Sequence, residues 1–227
     1  MRFRSSVAVL AAVGGLLAPL STAAAAPSSG RLAAPGDVMV MSLNDALGAL
    51  HVEAENRTGY KRSSFKHWVD ADRDGCDTRA EVLKEEAVVA PAQGAGCKLS
   101  GGRWYSAYDD QYIDGAGGLD IDHLVPLAEA WDSGASQWTP AERQEYANDL
   151  SVERSLIAVS AKTNRSKADQ DPATWMAPFE GYRCQYVADW ISTKLRWRLS
   201  IDSVEKTALS EKTTGCSNLP IRTTLAR

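Results

Sequence analysis

The chain of 227 residues carries 29 acidic and 25 basic side chains, a formal charge of −4 with His neutral, and 44% of it is hydrophobic. That balance does not describe a uniformly basic polyanion binder, so any contact with a polyanion has to rest on local positive charge. Glycine-rich phosphate loops, Gly-x-Ser-x-Gly elbows and Cys-x-x-Cys pairs are absent, which removes the function classes built on them.

Met1-Arg2-Phe3-Arg4 is a short basic stretch, Val7 to Leu20 is apolar apart from glycine and one proline, and Ser21 to Ala26 are small. Residues 1–25 read as a Sec-type secretory signal peptide cut after Ala25; the run is short for a membrane span, which argues against an uncleaved anchor. Arg2 and Arg4 are not adjacent, so a twin-arginine signal is not supported. No later segment is apolar enough to span, and the mature protein is expected to be secreted, with no membrane partner. Residues 26–41 begin rich in Ser, Gly, Ala and Pro and are expected to be a flexible leader, and 42–227 a single folded domain.

Ser42 with Asp45 resembles a helix cap, and Leu43, Leu47, Leu50 and Ala54 recur at helical spacing. His51 on that segment is expected at the surface; Tyr60, Phe65 and Trp68 are candidate core anchors. The run Asp70 to Glu81 has acids at positions 1, 3 and 5 of a calcium loop (Asp70, Asp72, Asp74), Gly75 at 6 and Glu81 at 12. Thr78 and Glu81 are equally well explained as a capping box for a helix through Val82 and Leu83. Pro91 to Gly102 is a glycine-rich loop, Arg103 to Tyr108 a strand, and Gly115 to Gly118 a turn.

Leu119 to Leu127 holds an adjacent acid and imidazole, Asp122-His123, in a short strand that Pro126 must end or bend. An oxygen ligand suits a hard cation and a histidine suits a proton acceptor. Neighbours on a strand point to opposite faces, so the two can serve one centre only if the strand end is irregular or they approach from two sides. Thr139-Pro140-Ala141-Glu142 is a strong helix start, and that helix is expected to end near Asn148. Leu156 to Ser160 is a second apolar strand that runs into the basic helix start carrying Lys162, Asn164, Arg165 and Lys167. Asp171-Pro172 is expected to open a short helix, Tyr182 to Leu195 to form a longer one, and Asp202 to cap the last. A second basic cluster, Arg183, Lys194, Arg196 and Arg198, reads either as a polyanion contact or as a solvated helix face.

Four cysteines in an exported chain point to two disulfides, with three pairings open. Local bracketing of helices favours Cys76–Cys97 and Cys184–Cys216.

The order Asp122-His123, Asn148, Asn164-Arg165-Ser166-Lys167 resembles the HNH nuclease family, the ββα-metal fold. Asp122-His123-Leu124-Val125-Pro126 with Asn164-Arg165-Ser166-Lys167 is similar to the HNH domain of RNA-guided CRISPR nucleases. The stretch from Tyr60 to Leu209, including Asp74-Gly75-Cys76-Asp77-Thr78-Arg79 and Ala128-Glu129-Ala130-Trp131, resembles small secreted HNH endonucleases of actinobacteria. The resemblance implies an α+β fold, with a ββα-metal core inside a mainly helical, disulfide-stapled domain. It implies His123 as general base, Asp122 and Asn164 as ligands of Mg2+ or Mn2+, and Asn148 as the residue that holds the loop or orients His123. Asp120, alternate to Asp122 on the strand, reads as a site support or as a solvent-facing residue; Arg165 and Lys167 are expected to contact phosphates, and Arg79 reads equally as a phosphate contact or as a surface ion pair. The expected activity is metal-dependent hydrolysis of nucleic acid, DNA ahead of RNA, with little sequence specificity. The competing expectation is a secreted calcium-binding or adhesive module centred on Asp70–Glu81, with structural Ca2+ and a dispensable Asp122-His123 pair.

Overall fold

The computed structural model describes residues 33–227 apart from 153 and 218; the expected signal peptide and the first part of the leader lie outside the described residues. In chain order the elements are β1 (Val38–Ser42), α1 (Leu43–Ala49), α2 (Thr78–Glu85), β2 (Ala87–Val89), β3 (Ala92–Gln93) and β4 (Leu99–Ser100). They continue with β5 (Arg103–Ser106), β6 (Gln111–Asp114), β7 (Leu119–His123), α3 (Leu127–Asp132), α4 (Pro140–Ala147) and β8 (Leu156–Ser160). The chain closes with α5 (Ala161–Lys167), α6 (Glu180–Trp197), α7 (Ser203–Thr214) and β9 (Pro220–Thr224). This is a mixed α/β domain with two disulfides. They join Cys76 to Cys97 and Cys184 to Cys216, the pairs the bracketing favours.

β7 and β8 pair antiparallel, Leu119 opposite Ser160 and His123 opposite Leu156. All five residues of β8 are buried, which explains its continuous apolar run. α5 follows β8 without a loop and packs on both strands, so β7, β8 and α5 make a strand–strand–helix unit. α4 starts as its sequence demands: Glu142 N–H donates to Thr139 Oγ1, Thr139 N–H donates to Glu142 Oε2, and proline takes the first helical position. α6, buried along its apolar stripe at Tyr186, Val187, Trp190 and Ile191, is the spine of the main core. A smaller core under α2 gathers Val82, Leu83, Trp104 and Ile121.

Several expectations change. At the described end of the expected leader, Val38 to Met41 lie in β1, paired antiparallel with β9 near the C-terminus. Asp77, not Thr78, caps α2, accepting from Ala80 N–H, so the capping box at Thr78 and Glu81 does not form. Asp171 to Thr174 is a turn rather than a helix, held by Asp171 Oδ1 accepting from the N–H groups of Ala173 and Thr174. The second basic cluster belongs largely to the interior. Arg196 makes a two-pronged pair with Asp149, and Lys194 is fully buried.

Lys194 Nζ lies 2.7 Å from Glu129 Oε1 and 2.7 Å from Glu205 Oε2, and also donates to Ser133 Oγ and Ser200 O. The ammonium thus ties α3, α6 and α7 together. Burial opposes its charge, but the two carboxylates hold its pKa above the ordinary value. Removing one member of a buried ion cluster strands the others without water. Lys194→Ala is expected to lower stability by about 3–5 kcal/mol, read as the shift of the urea midpoint; a shift worth less than about 1 kcal/mol, the range of surface pairs, would show that the cluster is solvated.

Candidate active site

β7 stops at His123, and the chain passes through Leu124 and Val125 to Pro126, which caps α3. Asp122 and His123, at the end of β7, both line one pocket of about 330 Å³, together with Arg62, Asn164, Arg165 and Asp169. The β7–β8 register runs unbroken through both residues, and their side chains meet different partners, Asp122 on Tyr108 and Lys167 and His123 on Ala147 and Trp68, so the two approach the pocket from two sides.

Asp122 is buried. Its Oδ2 accepts from the Tyr108 hydroxyl at 2.7 Å and lies 2.8 Å from Lys167 Nζ. Burial raises its pKa, against the Lys167 charge and the bonds from Lys167 and Tyr108. Lys167, on the inward face of α5 one turn after Asn164, also donates to the His123 carbonyl at 3.2 Å. Asn164 Nδ2 donates to Asp120 Oδ2 at 3.4 Å, and Arg165 Nε stands 3.4 Å from the same oxygen.

The His123 ring is buried, with Nε2 2.9 Å from the Ala147 carbonyl. A carbonyl can only accept, so Nε2 carries the proton and Nδ1 keeps its lone pair. Burial pushes the imidazole pKa down to about 3; the Ala147 bond opposes this, and the charges of Arg62, His67 and Lys167 add to it. The ring is neutral at pH 7. Trp68 lies against it at 5.7 Å and Tyr146 stacks at 6.4 Å. Trp68 holds a left-handed φ of 59°, which costs a bulky side chain strain and marks a locally over-determined segment.

Asn148 does not touch His123. Its Oδ1 accepts from Val69 N–H and Thr78 Oγ1, and its Nδ2 donates to the carbonyls of Lys66 and Gln144. All four hydrogen-bonding positions of the amide are used. It clasps the 66–69 segment to the end of α4, one residue after the carbonyl that orients His123.

Two expected phosphate contacts are spent elsewhere. Lys167 has no exposed surface and cannot meet a polyanion from outside; its partners are Asp122 and His123. Arg79 donates to the carbonyls of Ala116 and Leu119, bracing the turn before β7. Arg165, with a side chain 75% exposed, remains at the pocket mouth.

In the acidic loop, Gly75 N–H donates to Asp70, Asp74 N–H to Asp72 and Cys76 N–H to Asp74. Carboxylate oxygens of Asp70, Asp72 and Asp74 come within 4.8 Å of one another. Glu81 is turned to Lys84 at 3.1 Å, and the Thr78 hydroxyl is used by Val69 and Asn148.

Asp109 belongs to no recognisable motif. Its carboxylate accepts from Ser106 Oγ at 2.5 Å, Ser160 Oγ at 2.6 Å and Thr163 Oγ1 at 2.6 Å, joining β5, the end of β8 and α5. Ser160 in turn caps α5 by accepting from Thr163 N–H. Arg62, Tyr108, His67 and Trp68 also surround the site without a motif to announce them; their types are common core or surface residues, and only the fold brings them here.

The donor chemistry at Asp122, Asp120 and Asn164 is all oxygen and fits a hard divalent cation such as Mg2+ or Mn2+. The second oxygen of Asp122, Oδ1, takes no hydrogen bond among the described residues, so Lys167 and Tyr108 do not exhaust the carboxylate.

The strand–strand–helix unit thus brings a carboxylate, a neutral histidine and a carboxamide to one pocket. The comparisons give the family: residues 79–212 match the C-terminal domain of the GmrSD restriction endonucleases, and the chain belongs to that family. An uncharacterized secreted protein of Arthroderma benhamiae is 41% identical over 158 residues, covering 70% of this chain and 76% of that protein. No solved structure matches.

The three hydroxyl donors outweigh the burial that pushes Asp109 up, and hold its carboxyl below the usual 3.8. A depressed carboxyl contributes stability above its unfolded pKa and loses it as pH falls through the folded one. Asp109→Ala is expected to cost about 1–2 kcal/mol at pH 7, discounted for its partial exposure, with the gap to the parent shrinking in urea titrations toward pH 3. An equal gap at pH 7 and pH 3 would remove the carboxylate from this role.

Proposed function

We propose that this protein is an exported, metal-dependent HNH-type endonuclease that hydrolyses phosphodiester bonds of nucleic acid, DNA ahead of RNA. The observation that carries the proposal is the meeting of Asp122, His123 and Asn164 at one pocket of the strand–strand–helix unit. Membership of a restriction-endonuclease domain family supports it. Export is supported by the two disulfides and by a relative named as secreted.

Asp122 and Asn164, with Asp120 beside them, would hold Mg2+ or Mn2+. That ion, when bound, supplies positive charge at the phosphate. His123 Nδ1 would take a proton from water while the Ala147 carbonyl keeps Nε2–H in place; burial that holds the ring near 3 keeps Nδ1 free but makes it a weak base, and the negative phosphate it would face acts in the opposite direction, raising it. The water oxygen bonds to phosphorus, the bond from phosphorus to the leaving sugar oxygen breaks, and that oxygen takes a proton from solvent. Lys167 opposes the burial that raises the Asp122 carboxyl and holds the strand end from which His123 projects. Arg165 meets the substrate backbone. The buried ring and its Trp68 and Tyr146 neighbours limit competing water.

Calcium is the second ion of the proposal, held by Asp70, Asp72 and Asp74, whose carboxylates converge; Glu81, paired with Lys84, already brings a carboxylate oxygen within 4.8 Å of Asp74. Calcium should raise the melting temperature by binding the folded state, and Asp72→Ala should abolish the rise without altering nuclease activity. An identical melting temperature in calcium and in chelator leaves the loop as a structural turn.

His123→Ala is expected to reduce plasmid hydrolysis by roughly 10²–10⁴-fold with folding and metal binding kept. Asn164→Ala should weaken the hold on the metal, so excess Mg2+ or Mn2+ restores part of its rate but none of that of His123→Ala. Near-parental activity in folded His123→Ala would overturn the assignment.

A further inference from the structure

The family match begins at residue 79, yet one wall of the pocket comes from further upstream. Arg62 opens a single 3-10 turn, Arg62–Ser64, and its exposed side chain lines the pocket with Asp122, His123, Asn164 and Arg165. We propose that Arg62 is a phosphate-binding residue that completes the site from outside the family segment. Together with Arg165 it would hold the backbone of the nucleic-acid substrate. This rests on the nuclease reading above and extends it to a residue with no place in the motif.

Three observations carry the proposal. The first is availability. Lys167 is spent on Asp122, Arg79 on two carbonyls, and Arg57 on Asp132 and Asp169. Arg62 meets the Tyr60 hydroxyl but forms no ion pair among the described residues, so its charge is uncompensated. The second is need. Asp120, Asp122 and Asp169 stand at or beside the pocket, and a phosphodiester entering among carboxylates requires compensating cations. A guanidinium suits this, because its fork can donate two parallel bonds to phosphate oxygens. The third is rigidity. Phe65 N–H donates to the Arg62 carbonyl, and the Phe65 ring is fully buried edge-on to Trp131 and Tyr146. Arg143 donates to the Ser64 carbonyl and Asn148 to that of Lys66. The turn is anchored on both chemistry-free sides, so the guanidinium stem starts from a fixed point, as a preorganised binding group must.

The test uses the full mature chain, as parent, Arg62→Ala, Arg62→Gln and Arg62→Lys. Binding of a short DNA duplex is followed by fluorescence anisotropy in chelator across a salt series, and cleavage is followed with Mg2+ or Mn2+. Arg62→Ala and Arg62→Gln should melt like the parent and bind at least about ten-fold more weakly, and the slope of log affinity against log salt should fall by about 1. Arg62→Lys should recover the salt slope but only part of the affinity, since it keeps the charge and loses the fork. Parental affinity and slope in Arg62→Ala or Arg62→Gln, beside a parent that binds and cleaves, would overturn this inference alone. So would a loss that tracks a lowered melting temperature with an unchanged slope. A parent that neither binds nor cleaves DNA or RNA would remove the nuclease reading, and this inference with it.

Discussion

One buried ammonium fixes the site. Lys167 has no contact with solvent, and taking its charge out of water costs several kcal/mol unless a carboxylate meets it. Asp122 is that carboxylate, and the His123 carbonyl is the second acceptor. The pair therefore sets how α5 lies against the end of β7, and any slip of the helix would leave both charges unpaired in the core. Asn164, one turn earlier on the same helix, then has little choice of position over Asp120. The site geometry follows from an electrostatic requirement of folding, and the carboxylate that meets it keeps one oxygen in reserve.

Around that pair the structure adds braces from far away in sequence. Asp109 gathers three hydroxyls and holds the start of α5. Asn148 and Arg143 fasten the 64–69 segment to α4, which brings Trp68 against His123 and Arg62 to the pocket. The imidazole tautomer depends on the Ala147 carbonyl at the end of the same helix. α4 thus supports both the histidine and the segment that covers it, and its strong capping box and first-turn proline make sense as protection of that end point.

What the sequence makes legible is local. Leu119 to His123, Leu156 to Ser160, the Thr139 cap and the Asp202 cap declare themselves through apolar runs, proline and short hydrogen-bonding side chains, because those signals act within four residues. Asp122, His123 and Asn164 are legible as a set because their order and flanks resemble a family. What fails is long-range. Nothing near Lys167 says that its charge will be buried, and a basic residue in a basic run looks like a surface contact until α5 is folded onto β7. Asn148 looks like a helix stop and is one, but three of its four bonds reach back to residues 66–78, a relation that no local pattern encodes. Val38 to Met41 pair only with residues near the C-terminus, so the strand cannot be seen from its own neighbourhood.

The modest negative charge of the chain also becomes intelligible. Lys167, Lys194 and Arg196 are consumed by Asp122, Glu129, Glu205 and Asp149 inside the fold, and Arg57 by Asp132. Basic residues counted from composition therefore overstate the positive surface, while basic clusters in sequence misplace it. What remains near the pocket is a small number of exposed guanidiniums, Arg62 and Arg165, beside the carboxylates of Asp120 and Asp169. Such a surface attracts a polyanion weakly at long range, where charges cancel and salt screens. At contact distance it can grip, because a guanidinium fork and a divalent ion act over a few ångströms. A site of that kind selects for phosphate geometry at the point of hydrolysis rather than for overall anionic character.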